Sequence, residues 1–280
     1  MRILYFCTTW GQKNENWDAF FEKVKNAGYD GIETSLPPEG EEKEFLDRLN
    51  TYELDFIGQH WETVTRDFEV HKAEYSRRLR ALASLKPISI NAHTGKDYFS
   101  FERNMALLAV AAKITQDTGI PISHETHRSR FAFAAHVTQQ YLEHSPSLEL
   151  TLDVSHWCAV AESLLQDQVE ALGLALSRTR HIHARIGFAQ GPQVPDFTLP
   201  QYKTALQFHL ECWDKIVLNH QKNGSSMLPI TTEFGPPPYM QLVSPENASE
   251  KQWKMNADMM NMLKERYKNR ADLYAGFTGN

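Results

Sequence analysis

The sequence predicts an α/β protein, a single-domain (β/α)8 TIM barrel, and three observations lead there. Eight short apolar runs alternate with eight longer segments of helical periodicity, and no element is left over. The centres of the first seven runs lie roughly 25 to 33 residues apart, the span of one strand–loop–helix–loop unit. After the first run stands Trp10-Gly11-Gln12-Lys13, so the G-x-G-x-x-G of an open dinucleotide-binding sheet is missing.

Taken in order, residues 3–8 read as a buried strand. A helix over 15–26 follows, in which Trp17, Phe20, Phe21 and Val24 share one face and Ala27-Gly28 marks the end. The second strand is 31–36, stopped by Pro37-Pro38, and a polar helix covers 41–51. Strand three is 54–61 with a helix over 72–85, and strand four is 88–93 with a helix over 101–118. Strand five is 119–125 with a helix over 131–143, and strand six is 148–154 with one helix over 160–176. Strand seven, 179–186, leads through a Gly- and Pro-rich loop, 187–200, to a helix over 202–219. Strand eight, 228–234, and a helix over 249–268 complete one domain spanning 1–280.

Bulk properties narrow the function. With 41% hydrophobic and 23% charged residues the chain is neither disordered nor fibrous. A net charge of −6 argues against a nucleic-acid surface, which clusters Lys and Arg. Cys7, Cys158 and Cys212 form no C-x-x-C pair and read as free thiols of a reducing compartment. Neither a leader-like apolar run nor a stretch of roughly 18 apolar residues is seen, so a cytoplasmic protein without membrane contact is expected. Asn223 and Asn247 begin glycosylation acceptor patterns, which have no consequence without secretion.

Reactive groups of such a barrel lie at the C-terminal ends of its strands. Those ends carry Glu33, His60, His93, Glu125, Asp153, His156, His183, Arg185 and Glu233. Polar groups buried in such number need a common partner, and a divalent cation is the economical one. Glu125, Asp153, His183 and Glu233 would aim three carboxylates and one imidazole at a point. That set suits Mn2+, Mg2+ or Co2+, with Zn2+ also accommodated. Such an ion can hold adjacent oxygens of an α-hydroxycarbonyl and stabilise the enediolate left by proton removal. Each residue also has a purely structural reading: Glu125 paired with Arg128 or Arg130, Asp153 as a helix cap, His156 in the core. His181 and His183 alternate with apolar residues and face one way. Arg185, on the face of His183, suits an anionic substrate group, or else pairs with Asp196 or Glu33. The loop 187–200 suits an ordered wall or lid, and Trp10, Trp61 and Trp157 suit the walls of a sugar site.

In the order of its elements and in those four strand ends the chain resembles the xylose-isomerase-like TIM barrels of the sugar phosphate isomerase/epimerase family. The resemblance implies a metal-dependent isomerase or epimerase of a sugar, polyol or ketoacid. It implies one divalent metal ion on Glu125, Asp153, His183 and Glu233, with Glu125 and Glu233 as the acid–base pair. His60, His93, His156 and Arg185 complete the set expected to face substrate. Phe131 and Ala189 stand where the ketohexose epimerases carry a second glutamate and an arginine, and Arg185 resembles the lysine of the inosose and ketoacid branches. Two alternatives use the same barrel. One is a trinuclear phosphodiesterase like the AP endonucleases, which requires an Asp-x-His where this chain has Asp196-Phe197-Thr198. The other is a non-catalytic sugar-binding barrel. The expected partner is a small-molecule sugar or polyol, not nucleic acid or membrane, and a homo-oligomer is compatible with the sequence.

Overall fold

Strand β1 (Arg2–Thr8) pairs in parallel with β2 (Gly31–Thr34) on one side and with β8 (Met227–Thr232) on the other, which closes the sheet. Between them run β3 (Asp55–His60), β4 (Ser89–Ala92), β5 (Ile122–Glu125), β6 (Leu150–Leu152) and β7 (Thr179–Ala184). Each pairs with its sequence neighbours in an eight-stranded parallel barrel. The computed structural model describes residues 1–12, 16–241 and 247–268.

The helices outside the barrel are α1 (Trp17–Ala27), α2 (Glu42–Thr51), α3 (Phe68–Ser84), α4 (Phe101–Thr118), α5 (Ala135–His144), α6 (Val154–Ala161), α7 (Val169–Ser177), α8 (Lys203–Lys222) and α9 (Ala248–Lys268). The predicted order is the observed one except between β6 and β7, where two helices stand in place of one. The predicted start of the first helix, at residue 15, lies outside the described residues.

Several boundaries moved for local reasons. α3 starts four residues ahead of the expected 72, because Asp67 caps it by accepting from Val70 N at 3.0 Å. α5 starts at Ala135 rather than 131, since residues 130 and 131 are tied to neighbouring loops. The single helix expected over 160–176 is two. Asp153 accepts from Ser155 N and starts α6 immediately after β6, and Glu162 ends it in the left-handed conformation at φ 49°. Leu165 at φ 59° continues the break, and α7 begins at Val169.

Period-two alternation sorts the strand residues. Tyr5, Cys7 and Ile32 join the large apolar layer between barrel and helices, whereas Leu4, Phe6 and Ile57 form a separate apolar cluster. Above that cluster the alternation brings Glu33, Gln59, Asn91, Glu125, His183 and Glu233 into mutual contact, all buried. The site is thus built on the rigid part of the fold. All three cysteines are buried and free. Among the described residues no helix is long and apolar enough to cross a membrane.

Candidate metal centre and its pocket

Glu125 ends β5, Asp153 follows β6, His183 lies on β7 and Glu233 follows β8. Each offers one ligand atom, all four atoms lie within 4.8 Å of one another, and all four residues are buried. His183 Nδ1 stands 3.0 Å from Glu233 Oε2 and 3.6 Å from Glu125 Oε2. It is nevertheless out of line for a hydrogen bond with either, leaving a buried nitrogen without a partner among the described residues. Three carboxylates around an unsatisfied imidazole nitrogen fit a divalent cation with oxygen-rich ligands. Two smaller groups overlap this one: His93, Glu125 and His127, and Glu33, His181 and His183.

Each member of the cluster is held from behind. Both Glu33 oxygens stand 3.1 Å from His183 Nε2, on the opposite edge of the ring from Glu233. Asn91 Nδ2 donates to Glu125 Oε2 at 2.7 Å and to Glu33 Oε1 at 2.9 Å. Gln59 Nε2 donates to Glu233 Oε1 at 3.3 Å. Asp153 accepts from Ser155 N at 3.0 Å and from Ser155 Oγ at 2.5 Å through one oxygen, and from Arg185 through the other. Strands β2, β3 and β4 thus supply groups that orient the clustered side chains on β5, on β7 and just past β8. Such outer partners fix tautomer and rotamer of a ligand.

The electrostatics follow from packing these charges together. Burial alone would lower His183, but Glu233, Glu33 and Glu125 carry its pKa well above the usual imidazole range. Burial and Glu233 raise Glu125, against the pull of His183. Burial also pushes Glu233 up, but His183 and Arg185 outweigh it and hold Glu233 below the usual carboxylate range. Burial raises Asp153 to about 6 despite Arg185.

A cavity of about 410 Å3 opens beside the cluster, and its lining includes Glu233, Arg185, His93 and His127. Trp10, Tyr239 and Trp61 form apolar walls, with Trp10 edge-on to Tyr239 at 4.9 Å. Gly235 has no room for a side chain, because a Cβ there would stand 2.2 Å from the Trp10 ring. Trp157, expected as a third wall, is in the core instead and donates its indole N–H to Ala132 O.

The other expected contacts divide. His93 lines the cavity. His60 does not: alternation along β3 turns Gln59 inward and His60 outward, where its ring lies 5.5 Å from Tyr75. Its two ring nitrogens are occupied by Glu62 at 2.8 Å and Thr63 at 2.9 Å. His156, expected at the rim, is fully buried, 4.0 Å from the His127 ring, with Nε2 2.7 Å from Arg185 Nη2. Arg185 does share the face of His183 and reaches the cavity, but its partners are Asp153, Ser155 Oγ at 3.1 Å and Glu233 at 3.7 Å. Neither Asp196 nor Glu33 pairs with it. The loop 187–200 is an ordered wall away from the cavity, pinned where Gly235 N donates to Gln193 Oε1 at 2.7 Å.

The sequence drew attention to Glu33 without giving it a role and passed over Gln59, Asn91 and Ser155. Alternation was the available signal for two of them: Asn91 shares a face with His93, and Gln59 opposes Asn91 across the β3–β4 pair.

No protein-family model matches the chain, and no curated protein matches it by sequence. Solved structures do match over nearly its whole length. The D-allulose 3-epimerase of a Methylomonas species is similar with TM-score 0.61 and 15% identity, covering 95% of this chain and 98% of that one. A sugar phosphate isomerase/epimerase of Parabacteroides distasonis gives TM-score 0.56 and 15% identity, over 93% and 98%. Endonuclease IV of Thermus thermophilus gives TM-score 0.58 and 14% identity, over 95% and 100%. The chain therefore has the (β/α)8 barrel fold of these proteins. At these identities the likeness extends to the fold, one that serves epimerases and nucleases alike.

Proposed function

We propose that the chain is a metal-dependent isomerase or epimerase of a small sugar, polyol or ketoacid, with Glu125, Asp153, His183 and Glu233 holding one divalent cation. The observation that carries this reading is the convergence of those four buried ligand atoms around a His183 Nδ1 that lacks a hydrogen-bond partner. A divalent cation bound there supplies Lewis acidity, which lowers the cost of negative charge on neighbouring substrate oxygens.

The side chains account for the rest. With a cation in place of the Nδ1 proton, Glu33 would keep the remaining proton on His183 Nε2 and hold the ring in the ligating orientation. Glu125, oriented by Asn91, is one of the two glutamates of the cluster. It is suited to take a proton from the substrate carbon. Glu233, which lines the cavity and lies near Arg185, is suited to hold the proton's return path on the other side. Trp10 and Tyr239 line the same cavity as Glu233 and are suited to limit water there.

The phosphodiesterase alternative receives less support. His60, which it needs as a ligand, has both nitrogens engaged, and Asp196 accepts from Thr198 within its own turn. Titrating metal-free protein with Mn2+ should give a stoichiometry near one, and Asp153→Asn should abolish tight binding. Replacing Glu125 or Glu233 with Gln should preserve the fold and cut turnover of an active sugar or ketoacid by roughly two to four orders of magnitude. Two or three tightly bound ions, or full turnover in both variants, would rule the reading out.

A further inference from the structure

We infer that Arg130 forms an oxyanion subsite in the cavity, so that the substrate carries a carboxylate or phosphate group. This deepens the proposed function and rests on its reading of the cavity as the substrate site.

Two arginines line that cavity, and their situations differ. Arg185 is ion-paired with Asp153 and lies 3.7 Å from Glu233. Its charge is already met by the protein. Arg130, five residues beyond Glu125 in the β5–α5 loop, is equally buried, at 4% exposure. Among the described residues no carboxylate lies within ion-pairing distance of it, and Glu125, Glu62 and Asp97 act on it only from farther away.

Its visible partners are carbonyl oxygens. Nη1 donates to Thr63 O at 2.9 Å and to His93 O at 3.3 Å, and Nη2 donates to Trp61 O at 2.6 Å. A guanidinium has five N–H groups, and these bonds use three. Nε is buried with no partner among the described residues. One N–H on Nη2 is also unspent.

The position is held firmly. Phe131 N donates to Thr94 O at 3.2 Å, Arg130 N to His127 O at 3.1 Å, and Ser129 takes φ 70° to make the turn. A buried cation facing only carbonyl dipoles is costly, and a planar fork with donors to spare is matched by an oxyanion.

Placement limits the ligand's size. The His93 carbonyl accepts from Arg130 while the His93 ring stands 2.6 Å from Glu125. One residue therefore separates the subsite from the four-residue cluster. The fitting substrate is short, with its oxyanion a few atoms from the carbons that undergo proton transfer.

Glycerate, glycerol 3-phosphate and glycerol share a three-carbon frame and differ in the anionic group. Calorimetric titration at constant ionic strength, on the metal-free and the Mn2+-loaded chain, should show at least one anion binding about tenfold or more tightly than glycerol. A preference for glycerate assigns a carboxylate, and one for glycerol 3-phosphate assigns a phosphate. Arg130→Met should bring the preferred anion to within about twofold of glycerol, while circular dichroism and Mn2+ stoichiometry stay unchanged. If that variant does not fold, Arg130→Lys, which keeps the charge and loses the fork, should lower the ratio several-fold. Equal binding of all three compounds by the unmodified chain, or an unchanged ratio in the folded variant, overturns the subsite. Anion selectivity that persists in a chain binding no metal would overturn the isomerase reading and leave the subsite standing.

Discussion

Glu33 illustrates how a residue outside the four-residue cluster holds it from behind. Its carboxylate meets the Nε2 edge of His183, and Asn91 bridges it to Glu125. Burial would raise Glu33, but His183 outweighs it and holds the carboxyl below its usual range, so it stays ionised in the barrel interior. Replacing it with Gln keeps the volume and removes the charge beside His183 Nε2. Glu33→Gln should weaken Mn2+ binding by about 10- to 100-fold while leaving the melting temperature nearly unchanged. Glu33→Asp, which keeps the charge on a shorter arm, should recover part of the affinity. Calorimetry separates this from a packing effect, because a packing role would lower the melting temperature and leave the Gln and Asp variants equally weak.

At the scale of elements, the junctions after β6 and β7 depend on each other. Asp153 both ends the β6 segment and caps α6, and Ser155 in the first turn returns two donors to Asp153. Gly187, just past β7, approaches this turn so closely that a Cβ would stand 2.6 Å from Ser155 Cβ and 2.7 Å from its backbone. Gly187 N also donates to His209 Nε2 at 3.1 Å. Gly187→Ala must therefore push the start of α6 outward. We expect a loss of about 1–3 kcal/mol in urea unfolding and a measurable drop in metal affinity, since Asp153 moves with Ser155. Gly191→Ala in the same loop, where the nearest contact is the Phe188 ring at 3.2 Å, should be milder on both measures. Equal effects of the two would show that the β6–β7 junction does not transmit to the cluster.

For the molecule as a whole, the number of buried imidazoles has a consequence for acid stability. Burial lowers His209 to about 4 even though its ring bonds Ala205 O, and it lowers His124 and His181 to about 3. Each of these rings is neutral when folded and takes a proton near pH 6.5 when unfolded. The unfolded state then binds more protons at every pH between the two values, so stability is complete above about pH 6.5 and falls as the pH drops. For His209 alone the loss by pH 4 is about 3 kcal/mol. Urea unfolding of metal-free protein at pH 7, 6, 5 and 4 should show His209→Gln losing less on acidification than the unmodified chain. Parallel curves for the two proteins would contradict the assignment.

The barrel was legible in the sequence because each strand–helix unit carries its own local signal of apolar run, helical face and turn residue. The four clustered side chains were legible for a related reason: a carboxylate or imidazole at the end of an apolar strand is conspicuous against its neighbours. Period two even separates His183 from its outward-facing neighbours. What the sequence could not determine was which side chains satisfy one another across strands. Arg185 finds Asp153, Glu33 finds His183, and Arg130 reaches back to the carbonyls of residues 61, 63 and 93. Those pairings depend on barrel closure, strand register and loop course, and a linear pattern holds none of these. His60 shows the same limit from the other side, since one step of register decides whether an imidazole faces the cavity or the helices.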